Sequence, residues 1–110
     1  MFPDPIKKLP QADIQLPGLT AYIAQGKNHQ VIFISFENDV EIPKHSHDDQ
    51  WEIVLEGCVD LHLNGTTTRY SKGDRFFIPK GIFHAATVHS GYAAVVFFNE
   101  THRYREKKMR

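Results

Sequence analysis

Two histidines one residue apart, His45 and His47, are the first residues of the sequence whose types and spacing could do chemistry. In an extended segment, residues i and i+2 point to the same side, so both imidazoles can face one point. Imidazole is a common ligand for Zn, Fe, Mn and Ni, provided that the ligating nitrogen carries no proton. Many surface loops also contain such a pair, so the pair alone does not separate half of a metal site from an ordinary polar loop.

A third histidine, His84, ends the segment GDRFFIPKGIFH, which covers residues 73–84. Gly73 predicts one turn in this segment, and Pro79 with Gly81 predicts another. Pro79 fixes its φ angle at about −65°, whereas Gly81 permits a backbone conformation that other residues rarely adopt. A chain bent in this way can direct the following histidine back into a barrel.

Short strands are the elements that must position these histidines. Runs rich in β-branched and aromatic residues recur about every 8–12 residues with turn signals between them, and no stretch has a helical apolar period. The predicted strands cover residues 30–37, 40–42, 51–57, 58–65, 67–74, 75–81, 84–89 and 92–99. The Asn64-Gly65 pair favours a tight hairpin turn. The pattern predicts an all-β sandwich or barrel.

Length, charge and cysteine content limit the classes of function. The chain has 110 residues, enough for one domain, and its formal net charge is zero, which gives no general attraction to nucleic acid or to an anionic membrane. Its longest purely apolar run, residues 93–98, is too short to span a bilayer. We expect no signal peptide at the N-terminus. The single cysteine, Cys58, allows no internal disulfide and favours a cytoplasmic location.

The sequence predicts three parts. Residues 1–18 contain four prolines and are expected to form an extended segment that packs on the barrel. Residues 19–100 are expected to form the barrel, and residues 101–110 a basic, solvated and partly disordered tail. Residues 93–98 are apolar on both faces, so one face needs cover from the N-terminal segment or from another subunit. We therefore expect a homodimer.

The two histidine segments together resemble the two motifs of small single-domain cupins, which have an RmlC-like barrel. The positions that match the motifs are His45, His47, Gly57, Gly73, Pro79, Gly81 and His84. The chain departs from the motifs at Asp39 and Val88, which stand where the family has Gly and Asn. The resemblance implies an all-β double-stranded β-helix, or jelly-roll barrel. It also implies one divalent metal ion (Zn, Fe, Mn or Ni), held by the three histidines and one further side chain.

Two side chains compete for the position of the fourth metal ligand. Counting back from Gly57 places Gln50 there, and similar segments with a Gln-Trp pair occur in some small cupins. Glutamine is also the fourth ligand in cupins that open unsaturated uronate sugars. Counting forward from His47 gives Glu52 instead. The register of the following strand favours Gln50, so the resemblance implies that its carboxamide oxygen is the ligand.

Glu52 shares a strand face with Gln50 and is expected to point inward as well. An inward carboxylate beside a metal is costly unless it ligates, pairs or takes part in chemistry, so Glu52 is the candidate catalytic residue. The alternative is a wet barrel mouth in which Glu52 is merely solvated. The remaining histidines are not expected to be ligands; they are His29, His62, His89 and His102.

The donor set suggests a class of chemistry. Three neutral imidazoles and a neutral carboxamide leave a divalent ion at a charge of +2, which favours anionic ligands and strengthens its Lewis acidity. We therefore expect an enzyme that acts on a small anionic oxygenated molecule by isomerisation, ring opening or lyase chemistry, with Glu52 as general base. An Fe or Mn dioxygenase and a non-catalytic barrel that binds or senses a small ligand are the alternatives. Because one fold supports many reactions, the fold does not decide among them.

Overall fold

The structure, a computed structural model, describes residues 1–108, which contain nine strands and one short helix. In chain order the elements are α1 (Asp4–Lys7), β1 (Leu19–Gln25), β2 (Gln30–Phe36), β3 (Val40–His45), β4 (Gln50–Glu56), β5 (Cys58–Leu63), β6 (Thr66–Ser71), β7 (Arg75–Ile78), β8 (His84–Val88) and β9 (Ala93–Phe98). Within this part of the chain, no helix is long and apolar enough to cross a membrane.

The strands form two antiparallel sheets. One has the order β1-β2-β9-β4-β7, and the other has the order β3-β8-β5-β6. From β2 onward the chain changes sheet at almost every connection, which is the path of a jelly roll. The predicted all-β fold, a double-stranded β-helix, is therefore confirmed.

Apolar side chains from both sheets fill the space between them. On β2, the alternate residues Ile32, Ile34 and Phe36 are buried, and Leu61 of β5 and Val96 of β9 belong to the same core. Burial of each large apolar side chain contributes about 1.5–3 kcal/mol. The same period-two alternation decides which polar side chains enter the barrel.

The sequence predicts a barrel from residue 19 but no strand before residue 30. Strand β1, which lies in this interval, is therefore not predicted. Its sequence, LTAYIAQ, contains two alanines, which are weak strand formers on their own. The strand forms because all seven of its residues pair in register with β2. Ala21 and Ile23 are buried as a result, so tertiary pairing overrides the local preference.

The two terminal segments of the described chain pack against each other. Ala12 forms an isolated bridge with Glu106, and the amide of Asp13 donates a 2.8 Å hydrogen bond to the carbonyl of Arg105. We call residues 99–107 the C-terminal strap. The sequence analysis expected a solvated, partly disordered tail here. The side chains of residues 105–108 are exposed, and the strap's backbone is hydrogen-bonded to residues 11–13 and to Gln25 and Gln30 of the barrel. Residues 109–110 of the predicted tail lie outside the described residues.

Gly57, at the junction of β4 and β5, has a left-handed backbone and no room for a side chain. Its φ is 72°, and an added Cβ would lie 2.9 Å from the carbonyl oxygen of Gly91 and from Cα of Tyr92. Gly73 is also left-handed, with a φ of 90°, but an added Cβ there would meet nothing within 4 Å. A comparison of substitutions at these two glycines therefore distinguishes the cost of backbone strain from the cost of steric overlap.

Gly57→Ala is expected to lower the free energy of unfolding more than Gly73→Ala does. Both substitutions place a side chain in the left-handed region at a cost of about 1–2 kcal/mol. Only Gly57→Ala adds an overlap with backbone atoms, which lowers the free energy of unfolding by a further ~1–3 kcal/mol. Urea unfolding of the two variants and the wild type measures the difference, and equal midpoints for the two variants would contradict the steric argument.

Candidate metal centre

Three histidines meet at one end of the barrel. His45 ends β3 and lies opposite His84, the first residue of β8, while His47 follows in the loop to β4. One potential ligand atom from each of the three lies within 4.8 Å of the others. The ring centroids of His45 and His84 are 4.3 Å apart. The structure therefore brings together the three histidines that the sequence analysis singled out, in an arrangement that could bind one metal ion.

Each of these imidazoles is fixed in the same tautomer. A backbone carbonyl only accepts a hydrogen bond, so a ring nitrogen bonded to one must carry the proton. The three Nδ1–oxygen distances are 2.9 Å from His45 to Pro43, 2.8 Å from His47 to Asp48 and 2.9 Å from His84 to Ile82. This leaves Nε2 of each ring unprotonated when the ring is neutral. Such carbonyl-anchored imidazoles are typical of metal-ligating histidines.

The electrostatic surroundings favour the neutral form of two of the imidazoles, those of His47 and His84. Burial lowers the pKa of His47 and of His84, and the positive charge of Arg103 lowers both further. The carbonyl hydrogen bonds act in the opposite direction but do not cancel the effect of burial. Neutral imidazole is the form that binds a metal, so this donor set fits a divalent transition-metal ion.

Hydrogen bonds of Asp49 connect the loop that carries His47 to the turn before His84. Its carboxylate accepts a 2.8 Å hydrogen bond from the amide of Lys80, and its carbonyl accepts one of 2.9 Å from the amide of Asn99. The amide of Gly81 donates to the carbonyl of His47 at 3.0 Å. The loop that carries His47 is thus fixed to the turn before His84, although the two are distant in the sequence.

Gln50 and Glu52 both point into the barrel, as the alternation of β4 predicts. Gln50 Nε2 donates a 2.7 Å hydrogen bond to one carboxylate oxygen of Glu52, and the hydroxyl of Tyr92 donates to the other. Only 6% of Glu52 is exposed, so the alternative of a solvated carboxylate is wrong. Glu52 does not belong to the cluster of ligand atoms that the three histidines form.

Burial raises the pKa of Glu52 to about 7, while the hydrogen bonds from Tyr92 and Gln50 oppose the shift. The sequence analysis did not single out Tyr92. Tyr92 lies two and four residues before Ala94 and Val96 of β9, so strand alternation places it on the same buried face. A buried tyrosine hydroxyl usually has a hydrogen-bond partner, and the two facts together could have identified Tyr92.

A cavity of about 100 Å³ connects these side chains. The three histidines, Gln50 and Glu52 line it together with apolar residues such as Ile34 and Val96. Arg103 and Tyr104 of the C-terminal strap also line it, and the sequence analysis did not identify either of them. Nothing in the local sequence marks these two residues, because the strap's docking alone places them at the cavity.

Histidines outside the cluster have other partners in the structure. His62 lies between the hydroxyls of Thr67 and Thr87, and His89 contacts the carboxylate of Asp60. Within residues 1–108, the possible metal-binding cluster contains none of the four histidines that the sequence analysis set aside.

A family model described as a cupin domain matches residues 33–99, which is more than half of the chain. The chain belongs to the cupin family. The resemblance of the two histidine segments to cupin motifs is thus confirmed at the level of the family. No curated protein matches the sequence closely enough to count as a relative.

Several solved structures share this cupin's fold. An RmlC-like cupin from Shewanella frigidimarina is 23% identical, with a TM-score of 0.75 and 88% of each chain covered. KdgF from Halomonas sp. is also 23% identical, with a TM-score of 0.68, and 81% of this chain and 86% of that one are covered. Salicylate 1,2-dioxygenase from Pseudoaminobacter salicylatoxidans is 19% identical, with a TM-score of 0.67, and 78% of this chain and 26% of that one are covered. At these identities the similarity establishes the fold alone.

His84→Ala is expected to lose most of the bound metal, since it removes one of three converging donors. His62→Ala is the matched control, because it removes an imidazole on another part of the same sheet that lies outside the cluster. Elemental analysis of tag-free protein, purified without a nickel column or a chelator, measures the metal content of both variants. Equal metal content in His84→Ala and wild type would exclude this site.

Proposed function

We propose that this cupin is a metal-dependent enzyme that acts as a Lewis acid on a small anionic oxygenated molecule. The reaction would be an isomerisation, a ring opening or a lyase reaction. The observation that carries the proposal is a buried carboxyl group, that of Glu52, in the same cavity as three histidine imidazoles. A barrel that only needed a metal for stability would have no use for a buried carboxyl group there, which is costly to keep.

The proposed ligands are Nε2 of His45, His47 and His84 and the carboxamide oxygen of Gln50. The hydrogen bond from Gln50 Nε2 to Glu52 supports this assignment, because it uses the amide end of the side chain and leaves Oε1 available. Glu52 is already held by two donors and is outside the histidine cluster. We therefore assign metal binding to Gln50 and proton transfer to Glu52.

Glu52 can move a proton between two atoms of a substrate in the cavity. A divalent metal bound there supplies Lewis acidity, which polarises a carbonyl or hydroxyl oxygen. Glu52 accepts the proton that leaves and returns it to another atom, while Tyr92 and Gln50 hold the carboxyl group in place. The apolar walls, including Ile34 and Val96, limit the access of water to this exchange.

A dioxygenase is the second candidate function. Three histidine ligands also suit iron, and salicylate 1,2-dioxygenase shares the fold with a TM-score of 0.67. The identity of the native metal separates the two candidates, because zinc cannot carry out redox chemistry. Iron or manganese at about one per chain, with oxygen uptake on substrate addition, would replace the first proposal by the second.

Gln50→Ala and Glu52→Gln are expected to differ in their effects. Gln50→Ala removes a ligand and should weaken metal affinity by about tenfold or more. Glu52→Gln should keep the metal but abolish turnover, because an amide cannot accept the proton. Metal titration and a turnover screen on sugar acids, including unsaturated uronates, measure the two effects. Turnover retained in Glu52→Gln would contradict the assigned role, and the absence of metal and turnover in the wild type would refute the proposal.

The outer face of the five-stranded sheet supports a homodimer as the functional form. The side chains of Ile53, Val95 and Phe97 point away from the core and are only partly buried. Trp51 is 38% exposed and Phe77 is 54% exposed on the same face. A contiguous apolar surface of this kind is typical of a protein–protein interface. We propose that a second copy of the chain covers it.

Trp51→Asp combined with Phe77→Asp is expected to convert the dimer to a monomer, because it places two charges in the proposed interface. Phe83→Asp is the matched control, since Phe83 is 59% exposed but lies in the turn before β8. Light scattering should give a mass near twice the 12.7 kDa of one chain for the wild type and for the control. A monomeric wild type would exclude the homodimer.

A further inference from the structure

We infer that Arg103 binds a carboxylate of the substrate and that the C-terminal strap holds its guanidinium at the metal cavity for this purpose. This inference rests on the proposed function and deepens it, since it names the anionic group and the residue that recognises it. The inference rests on four observations: the hydrogen bonds that fix the strap, the position of the guanidinium, its unpaired Nε donor and the volume of the cavity.

Two glutamines of the barrel fix the strap by its backbone. Gln30, which is 1% exposed, donates a 2.9 Å hydrogen bond from Nε2 to the carbonyl of Tyr104 and accepts one of 3.1 Å from the amide of Tyr104. Gln25 donates a 3.0 Å hydrogen bond to the carbonyl of Thr101. Because these bonds are made to the backbone, they fix the position of Arg103 without using its side chain.

The guanidinium of Arg103 lies over two aromatic rings that line the cavity. It is 5.5 Å from the centroid of the Phe98 ring and 4.6 Å from that of the Tyr104 ring. Contacts of this kind orient a guanidinium without consuming its N–H donors. Arg103 lines the inner cavity together with His47 and His84.

The guanidinium has a donor without a partner. Nε of Arg103 is buried and makes no hydrogen bond, and within residues 1–108 no carboxylate forms a salt bridge with this side chain. Arg69, by contrast, makes two hydrogen bonds to Asp60. Buried donors in folded proteins are normally satisfied, so an unpaired one beside a cavity points to a bound ligand or water.

Glu100 is the acidic residue nearest to this arrangement in the strap. One of its carboxylate oxygens is also buried without a hydrogen bond, and it lines the groove outside the mouth with Arg103 and His102. It does not line the inner cavity and does not pair with Arg103. Within residues 1–108, no carboxylate therefore competes with an external anion for the guanidinium.

A carboxylate suits this place better than other anions. A guanidinium presents two parallel N–H donors that match the two oxygens of a carboxylate, and one guanidinium is enough to bind it. A phosphate would need further donors. The cavity of about 100 Å³ could hold several water molecules, so its occupant is a small carboxylic acid whose other oxygens face the histidines.

Arg103→Gln tests the inference with Arg105→Gln as the matched control. Arg105 lies two residues further along the strap, has an exposed side chain and carries the same charge. Zinc-loaded wild type and both variants are titrated calorimetrically with pyruvate and with pyruvamide, its uncharged analogue. We expect Arg103→Gln to weaken pyruvate binding by about tenfold or more, since hydrogen bonds to a charged group are strong. Arg105→Gln should change it less than about twofold, and pyruvamide binding should change little in either variant.

The outcomes separate this inference from the proposed function. Pyruvate binding that weakens equally in the two variants, or in neither, overturns the role of Arg103 while leaving the metal site standing. Failure of the wild type to bind zinc, iron, manganese or nickel overturns the proposed function. In that case the same titrations on zinc-free protein test the role of Arg103, because the guanidinium needs no metal to bind a carboxylate. No pyruvate binding in either form of the wild type overturns it.

A second pair of variants allows the same test if Arg103→Gln does not fold. If Arg103→Gln unfolds, Arg103→Lys and Arg105→Lys replace the first pair, since both keep the charge. Lysine lacks the planar fork of the guanidinium, so Arg103→Lys should still weaken pyruvate binding several-fold relative to Arg105→Lys. Equal binding by these two variants would also overturn the inference.

Discussion

The pairing of β3 with β8 is the interaction on which the candidate metal centre depends. It places His45 opposite His84, and the loop after β3 then brings His47 to the same point. The register of β3 shifts between Ile42 and His45, so the end of the strand departs from regular pairing just where the imidazoles converge. Irregular pairing of this kind commonly redirects a side chain beside a site.

The second constraint is the burial of Glu52. A carboxyl group that titrates near pH 7 in the folded chain and near 4.5 in the unfolded chain favours folding only while it is protonated. As the pH rises through this interval, the folded state loses stability relative to the unfolded state. The hydrogen bonds from Tyr92 and Gln50 reduce this loss but do not remove it. Retention of such a group is typical of functional sites rather than of structural cores.

Local strand patterns predict an all-β sandwich or barrel, and the resemblance to the two cupin motifs implies the double-stranded β-helix and the convergence of the three histidines. Strand alternation places Gln50 and Glu52 on the inner face, and Pro79 and Gly81 mark the turn before His84. The strand β1 is not predictable in this way, since its alanines acquire a strand conformation only by pairing with β2. Tyr92 and Arg103 reach the cavity through contacts between distant parts of the chain. No short-range signature marks Arg103, whereas strand alternation marks Tyr92 as buried but does not show that it contacts Glu52.

The bridge between Ala12 and Glu106 has a consequence for the order in which the molecule can assemble. During synthesis, residues 11–13 leave the ribosome long before their partners at residues 105–107 exist. The three histidines lie at or before residue 84, whereas the strap that carries Arg103 docks only after residue 107 has been made. A metal ion can therefore reach the histidines before the strap narrows the entrance to the cavity.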